Sequence, residues 1–197
     1  MPNVAVIYYS STGTNSAMAQ AVGEGASLAG GEVRVRLVQE TAPAAAIDSN
    51  PAWRAFVDRT AGEPRATLAD LEWADAVVFG TPTRFGNVAS QFKSFIDTAG
   101  GLWFQGKLAN KVYAGFTSAQ TVHGGQESTL LALYNTLYHF GGIIVTPGYT
   151  DPVVFESGGN PYGPSVTAGA GLPTEKNLAH ARYLGKRVTE MATKLRA

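Results

Sequence analysis

Short uncharged runs of β-branched and aromatic residues alternate along this chain with longer segments whose apolar positions recur at helical spacing. Residues 4–9 (Val-Ala-Val-Ile-Tyr-Tyr) form the first run and read as a strand buried on both faces, as in a parallel sheet. Met18, Val22, Gly25 and Leu28 then predict a helix that Gly30-Gly31 ends. Val33, Val35 and Leu37 alternate with Arg34 and Arg36, so 32–38 is a strand with one wetter face, nearer an edge. Residues 40–64 break the rhythm and read as an inserted loop with a short helix around Trp53, Phe56 and Val57. Leu68 and Leu71 mark a helical turn before a second buried strand, 75–80. Val88, Phe92, Phe95, Ile96 and Ala99 predict a helix that Gly100-Gly101 closes, with Leu102-Trp103-Phe104 just beyond. A third core strand covers 111–116, a helix is marked by Leu130, Leu133, Tyr134 and Leu137, and 142–145 is a last short strand. A glycine- and proline-dense stretch, 147–173, carries Tyr149, Phe155 and Tyr162. The terminal helix begins near Thr174, with Leu178, Ala181, Leu184, Val188, Met191 and Leu195 on one face.

Alternating strands and helices give an α/β fold: a three-layer sandwich around a five-stranded parallel sheet. One domain spans 1–197, with an inserted segment at 42–64 and a long loop at 147–173. The element count matches the flavodoxin-like order 2-1-3-4-5, in which a flavin mononucleotide sits at the switch between the first and third strands. The loops after strands one, three and four meet there, and they are the three unusual loops of this sequence.

Charge and composition narrow the functions available. Lys+Arg and Asp+Glu both number 15 among 197 residues, so no strong field favours nucleic acid or an acidic surface. With no cysteine, disulfides, thiol chemistry and iron–sulfur clusters are excluded, and a redox role needs a bound cofactor. No metal site is expected. The first strand starts beside Met1 and no apolar run is long enough to span a bilayer, so neither a leader nor membrane insertion is expected and the cytoplasm is the expected location.

The first loop, Ser10, Ser11, Thr12, Gly13, Thr14 and Asn15, is all small or hydroxylated, with one glycine for a tight turn into a helix. Free amides and the positive end of the helix dipole suit a phosphate there. The same cluster also suits a plain helix cap. Neither a Gly-x-x-x-x-Gly-Lys-Ser/Thr loop nor a Gly-x-Gly-x-x-Gly turn occurs, leaving a mononucleotide phosphate as the ligand class. In the second loop, Thr83, Arg84 and Phe85 lead into Gly86-Asn87, where backbone can approach a flat ring edge. The third, Ser118, Ala119, Gln120, Thr121, Val122, His123 and Gly124, suits the opposite ring edge. Trp103 and His139 are each compatible with packing or with a site.

Four motifs in order, Pro-Thr-Arg-Phe-Gly-Asn (82–87), Asp-Thr-Ala-Gly-Gly-Leu-Trp (97–103), His-Gly-Gly-Gln-Glu (123–127) and Asn-Pro-Tyr-Gly-Pro-Ser (160–165), carry a resemblance over essentially the whole chain. It resembles the tryptophan-repressor-binding-protein-like (WrbA) flavoproteins, the type IV NAD(P)H:quinone oxidoreductases. The resemblance implies FMN as cofactor, NADH or NADPH as hydride donor, a quinone as acceptor by a ping-pong mechanism, and a homotetramer. It implies FMN contacts at 10–15, 83–85, 118–124 and His139, and substrate contacts at Thr12 and Trp103; no catalytic side chain is assigned. The chain departs from family patterns at Thr12, where some members carry an aromatic, in a third loop one residue longer than in some relatives, and over 42–64. A flavodoxin-type electron carrier is the alternative, disfavoured by the zero net charge; a non-enzymatic partner protein ranks last. Trp53, Phe56, Phe155 and Tyr162 lie on irregular stretches and are expected at subunit contacts.

Overall fold

A computed structural model describes residues 1–196. Its centre is a parallel sheet in the order β2-β1-β3-β4-β5, the arrangement expected from the element count. The core strands are β1 (Asn3–Tyr8), β3 (Ala76–Pro82) and β4 (Val112–Ala119), and β2 (Glu32–Leu37) forms the half-exposed edge. Every residue of β3 and β4 is buried, which is why these strands carry no charge and no alternation. Register runs Val4↔Ala76 through Tyr8↔Gly80 and Ala76↔Val112 through Pro82↔Ser118, so the ends of β1, β3 and β4 lie side by side.

On one face pack α1 (Thr14–Leu28) and the terminal helix α9 (Glu175–Arg196). Their crossing is closed by glycine on both helices: a Cβ on Gly25 would sit 1.9 Å from the Arg182 carbonyl oxygen, and one on Gly185 2.0 Å from that of Val22. Leu195, expected on the buried face of α9, is exposed because α9 outruns α1; Ala192 is the last apolar residue buried there. The other face carries α5 (Ser90–Asp97) and α7 (Gln126–His139) over a cluster that includes Phe79, Phe92, Tyr113 and Leu133.

Four further expectations change. A sixth strand, β6 (Ser165–Thr167), pairs with Thr117–Ala119 of β4 on the edge that β5 (Ile143–Ile144) covers only at Val112–Tyr113. The outer strand is thus split, and the long glycine- and proline-rich stretch, with its short helix α8 (Pro152–Glu156), is an excursion between its halves. Gly100-Gly101 does not close the preceding helix. α5 ends at Asp97, and Gly100 opens α6 (Gly100–Phe104), the Trp103 amide donating to Ala99 O at 3.0 Å. The inserted segment holds two helices, α2 (Ala44–Asp48) and α3 (Pro51–Arg59). Asn50 caps α3 by accepting from the amides of Ala52 and Trp53 at 3.0 and 3.2 Å, with Pro51 at the first turn. Finally, Phe56 is not a surface aromatic: it is 2 % exposed, packed inward by the amphipathic α3. A short helix α4 (Leu68–Trp73) precedes β3 and starts with a capping box between Thr67 and Asp70.

Candidate active site

Each of the three unusual loops leaves the carboxyl end of a core strand, and the ladder register brings them to one edge of the sheet. They enclose a cleft of about 180 Å³ lined by Ser10, Ser11, Thr12, Thr14, Thr83, Arg84, Ser118, Ala119, Gln120, Thr121 and Gly124, together with Pro82 and Ala168. The sequence did not mark the last two. Pro82, read from the sequence as part of the loop after a strand ending at 80, is the last residue of β3, and Ala168 arrives only because β6 adds to β4.

The first loop turns through Gly13, whose φ of 106° belongs to glycine, and Thr14 opens α1. The Gly13 amide is not free: it donates to Ser10 Oγ at 3.0 Å. The first intrahelical bond runs from the Ala17 amide to Gly13 O (3.1 Å), and no side chain caps the helix. The amides of Thr14, Asn15 and Ser16 therefore have no protein partner, and the positive end of the helix dipole is unshielded. Among the lining residues the sole charge is the Arg84 guanidinium, whose Nη2 reaches Ser11 Oγ at 3.4 Å. Beneath the loop, Asn15 is fully buried; its Nδ2 donates to Tyr9 O at 3.3 Å while Oδ1 has no partner. Unpartnered amides, hydroxyls, one cation and an orphaned buried acceptor make a donor set that fits a phosphate ester with a polar chain attached.

The second loop is a tight hairpin. Arg84 and Asn87 exchange backbone bonds at 2.8 and 3.0 Å, and Phe85 and Gly86 between them have φ of 52° and 76°, the signs of a type I′ turn. A left-handed phenylalanine is costly, and its ring projects wholly into solvent. The tip amides of Phe85 and Gly86 point away from the ladder without backbone partners. Thr83 ties this loop to the third and to α7: its hydroxyl lies 3.4 Å from Gly124 O and 2.6 Å from Thr129 Oγ1, in the first turn of that helix. The third loop is braced from outside, where Gly169 donates to Gln120 O at 3.1 Å. A Cβ on Gly169 would fall 2.2 Å from that oxygen.

Not every sequence-marked residue borders the cleft. Phe85 and His123 are exposed beyond its rim, and Val122 opens onto a neighbouring cavity of about 310 Å³ beside β6. Trp103 and His139 lie elsewhere. They are joined to each other, the indole Nε1 donating to His139 O at 2.7 Å. His139 ends a helix of 14 residues whose start is at the cleft, a length of about 21 Å.

A residue the sequence did not mark organises the ground behind the first loop. The Glu40 carboxylate accepts from Tyr9 OH (2.8 Å), Trp53 Nε1 (2.8 Å), Gln91 Nε2 (2.9 Å) and the amides of Thr41 and Ala42 (both 2.9 Å). Burial raises its pKa, but the bonds from Ala42, Gln91, Tyr9 and Trp53 outweigh this and hold it below the ordinary glutamate value. Burial, then Glu40, push the Tyr9 hydroxyl far above its usual range. Glu40 thereby pins α3 and α5 to the end of β1.

Residues 2–151 match the family model described as NADPH-dependent FMN reductase. The chain is 53% identical to the NAD(P)H dehydrogenase (quinone) of Deinococcus radiodurans, over 98% of this chain and 96% of that one. It is 46% identical to the protein of the same name from Azorhizobium caulinodans, over 99% of both. Among solved structures it is similar to a flavodoxin, WrbA-like protein from Agrobacterium tumefaciens, with a TM-score of 0.71 at 28% identity, over 98% of this chain and 99% of that one. An archaeal flavodoxin, at 19% identity and a TM-score of 0.64, over 97% of this chain and 99% of that one, shares the fold.

Proposed function

The chain belongs to the NADPH-dependent FMN reductase family, and we propose that it is an FMN-dependent NAD(P)H:quinone oxidoreductase that reduces quinones to hydroquinones. The observation that carries this reading is the uncapped start of α1, its first amides unpartnered, facing the second and third loops across one cleft. When bound, FMN would supply the redox chemistry that links NAD(P)H oxidation to two-electron, two-proton reduction of a quinone, donor and acceptor using the same site in turn.

The chain's own work is to bind, orient and exclude water. Ser10, Ser11, Thr12 and Thr14, with the amides opening α1, would hold the phosphate, and the buried Asn15 Oδ1 would accept from a cofactor hydroxyl. Thr83, Arg84 and Phe85 on one side and 118–124 on the other would hold the ring edges through backbone groups. That use of backbone explains why the loops are rich in small residues. Trp103 and His139, which the family resemblance associates with substrate and cofactor, are about a helix length from the cleft of their own subunit. A homotetramer that carries them to a neighbouring cleft reconciles both facts. Exposed Phe85, Phe104, Tyr138 and the stacked pair Tyr149–Phe155, with centroids 5.0 Å apart, offer apolar surface for such contacts. No helix among the described residues is long and apolar enough to cross a membrane, and a cytoplasmic location, where NAD(P)H is the available donor, goes with this reading.

Anaerobic stopped-flow absorbance tests the proposal. Mixing FMN-loaded protein with NADH or NADPH is expected to bleach the flavin promptly and completely, and a following push of quinone to restore its colour. Failure of both nucleotides to bleach it would favour a one-electron carrier fed by a protein partner.

A further inference from the structure

Arg59 closes the last turn of α3, within the inserted segment. A cation there is favoured by the dipole of its own helix, but that does not explain where its guanidinium lies. A Cβ built on Gly13 would stand 3.2 Å from Arg59 Nη2 and 3.5 Å from Phe56 Cδ2, so the head group rests against the backbone of the first loop, at the residue that opens α1. The Phe56 ring carries it, 5.3 Å from the guanidinium carbon, and Phe56 is itself buried. Among the described residues no carboxylate pairs with Arg59, whereas its neighbour Arg54 is held by Asp48 and Asp58. The platform beneath is fixed, because Trp53 on the same helix donates to Glu40. An unpaired guanidinium is thus braced beside three unpartnered amides at a helix start.

We propose that Arg59 is a phosphate-binding residue, its guanidinium pairing with the phosphate monoester of FMN in a cradle otherwise made of amides and hydroxyls. The inserted segment is then a device for delivering a charge to the first loop, which explains why a helix with a buried aromatic is latched to the end of β1. A guanidinium suits the task because it is always charged and presents a planar fork to phosphate oxygens.

The inference rests on the FMN reading, and the test separates the two. Fluorescence titration with FMN and with riboflavin, which lacks the phosphate, is carried out on wild type, Arg59→Gln and Arg59→Lys. Arg59→Gln is expected to raise the Kd for FMN about tenfold or more, as loss of a charge-assisted bond implies. Its Kd for riboflavin should stay within twofold of wild type, its thermal melt should be unchanged, and lysine should restore part of the FMN affinity. Equal losses for FMN and riboflavin, or none for either, would overturn the role of Arg59. So would intact FMN binding with a raised KM for NADPH but not for NADH, which would assign the guanidinium to the nucleotide's own phosphate. A wild-type chain that does not bind FMN would instead overturn the functional reading.

Discussion

At the scale of single residues, the groups whose ionisation the fold controls lie outside the cleft. His180 on α9 is 1 % exposed; its Nδ1 meets Ser157 Oγ at 2.7 Å and its Nε2 has no partner. Burial lowers its pKa from 6.5 to about 4, against a small opposing pull from Asp151. In the window between those values the unfolded chain takes up a proton that the folded chain refuses, so stability is full above pH 6.5 and declines as pH falls toward 4. At pH 5.5 the loss is on the order of 1 kcal/mol. Urea unfolding at pH 7.5 and 5.5 should show it, and the drop should shrink by that amount in His180→Gln. An equal drop in both proteins would mean that other groups carry the acid sensitivity. The residues that sequence reading missed share one property: their partners are scattered. Glu40 collects donors from the residue after β1, from α3 and from α5, and nothing local distinguishes it from any glutamate after a strand. Ser10 to Asn15 were legible as a turn that opens α1 because such a turn is made by backbone, and glycine and hydroxyl residues advertise it.

Among the elements, those with a long period or an unbroken apolar run were readable: β1, β3, β4, α1 and α9. β6 was not, since three residues between glycines and prolines have no periodicity of their own. What makes Ser165–Thr167 a strand is the open edge of β4 beyond the two-residue β5. α6 was hidden because glycine was read as a stop, while the φ values of Gly100 and Gly101 are not positive and both are helical. Inside the helices, where glycine is required it is for space, at the crossing of α1 and α9. Gly185→Val would drive a side chain into the Val22 carbonyl, 2.0 Å from the ideal Cβ position, and the helices would have to separate. Overpacking of this kind costs roughly 1–3 kcal/mol, so the urea midpoint should fall with an unchanged m-value. Because α1 opens at the phosphate loop, FMN affinity should weaken as well. Unchanged affinity in a destabilised variant would show that the helix start is held by the sheet rather than by its packing on α9.

For the whole molecule, the question is how a cleft with no aromatic side chain on its lining comes to handle flat substrates. Trp103 and His139 are bonded to each other at the far end of α7, and Trp103 is half exposed, with its ring available to another copy. In a closed assembly each contact is used by every subunit, so one surface indole can serve a cleft about 21 Å away in its own chain but adjacent across an interface. Trp103→Ala is then expected to leave FMN affinity within twofold of wild type while raising KM for quinone and nicotinamide by an order of magnitude. Assembly should matter in the same way. When the enzyme is diluted, specific activity and light-scattering mass are expected to fall together while bound flavin remains, because a separated subunit keeps its phosphate loop and both ring loops but loses the borrowed indole. Full activity in a fraction that scattering identifies as monomeric would refute the shared site and leave Trp103 as a packing residue between α6 and α7.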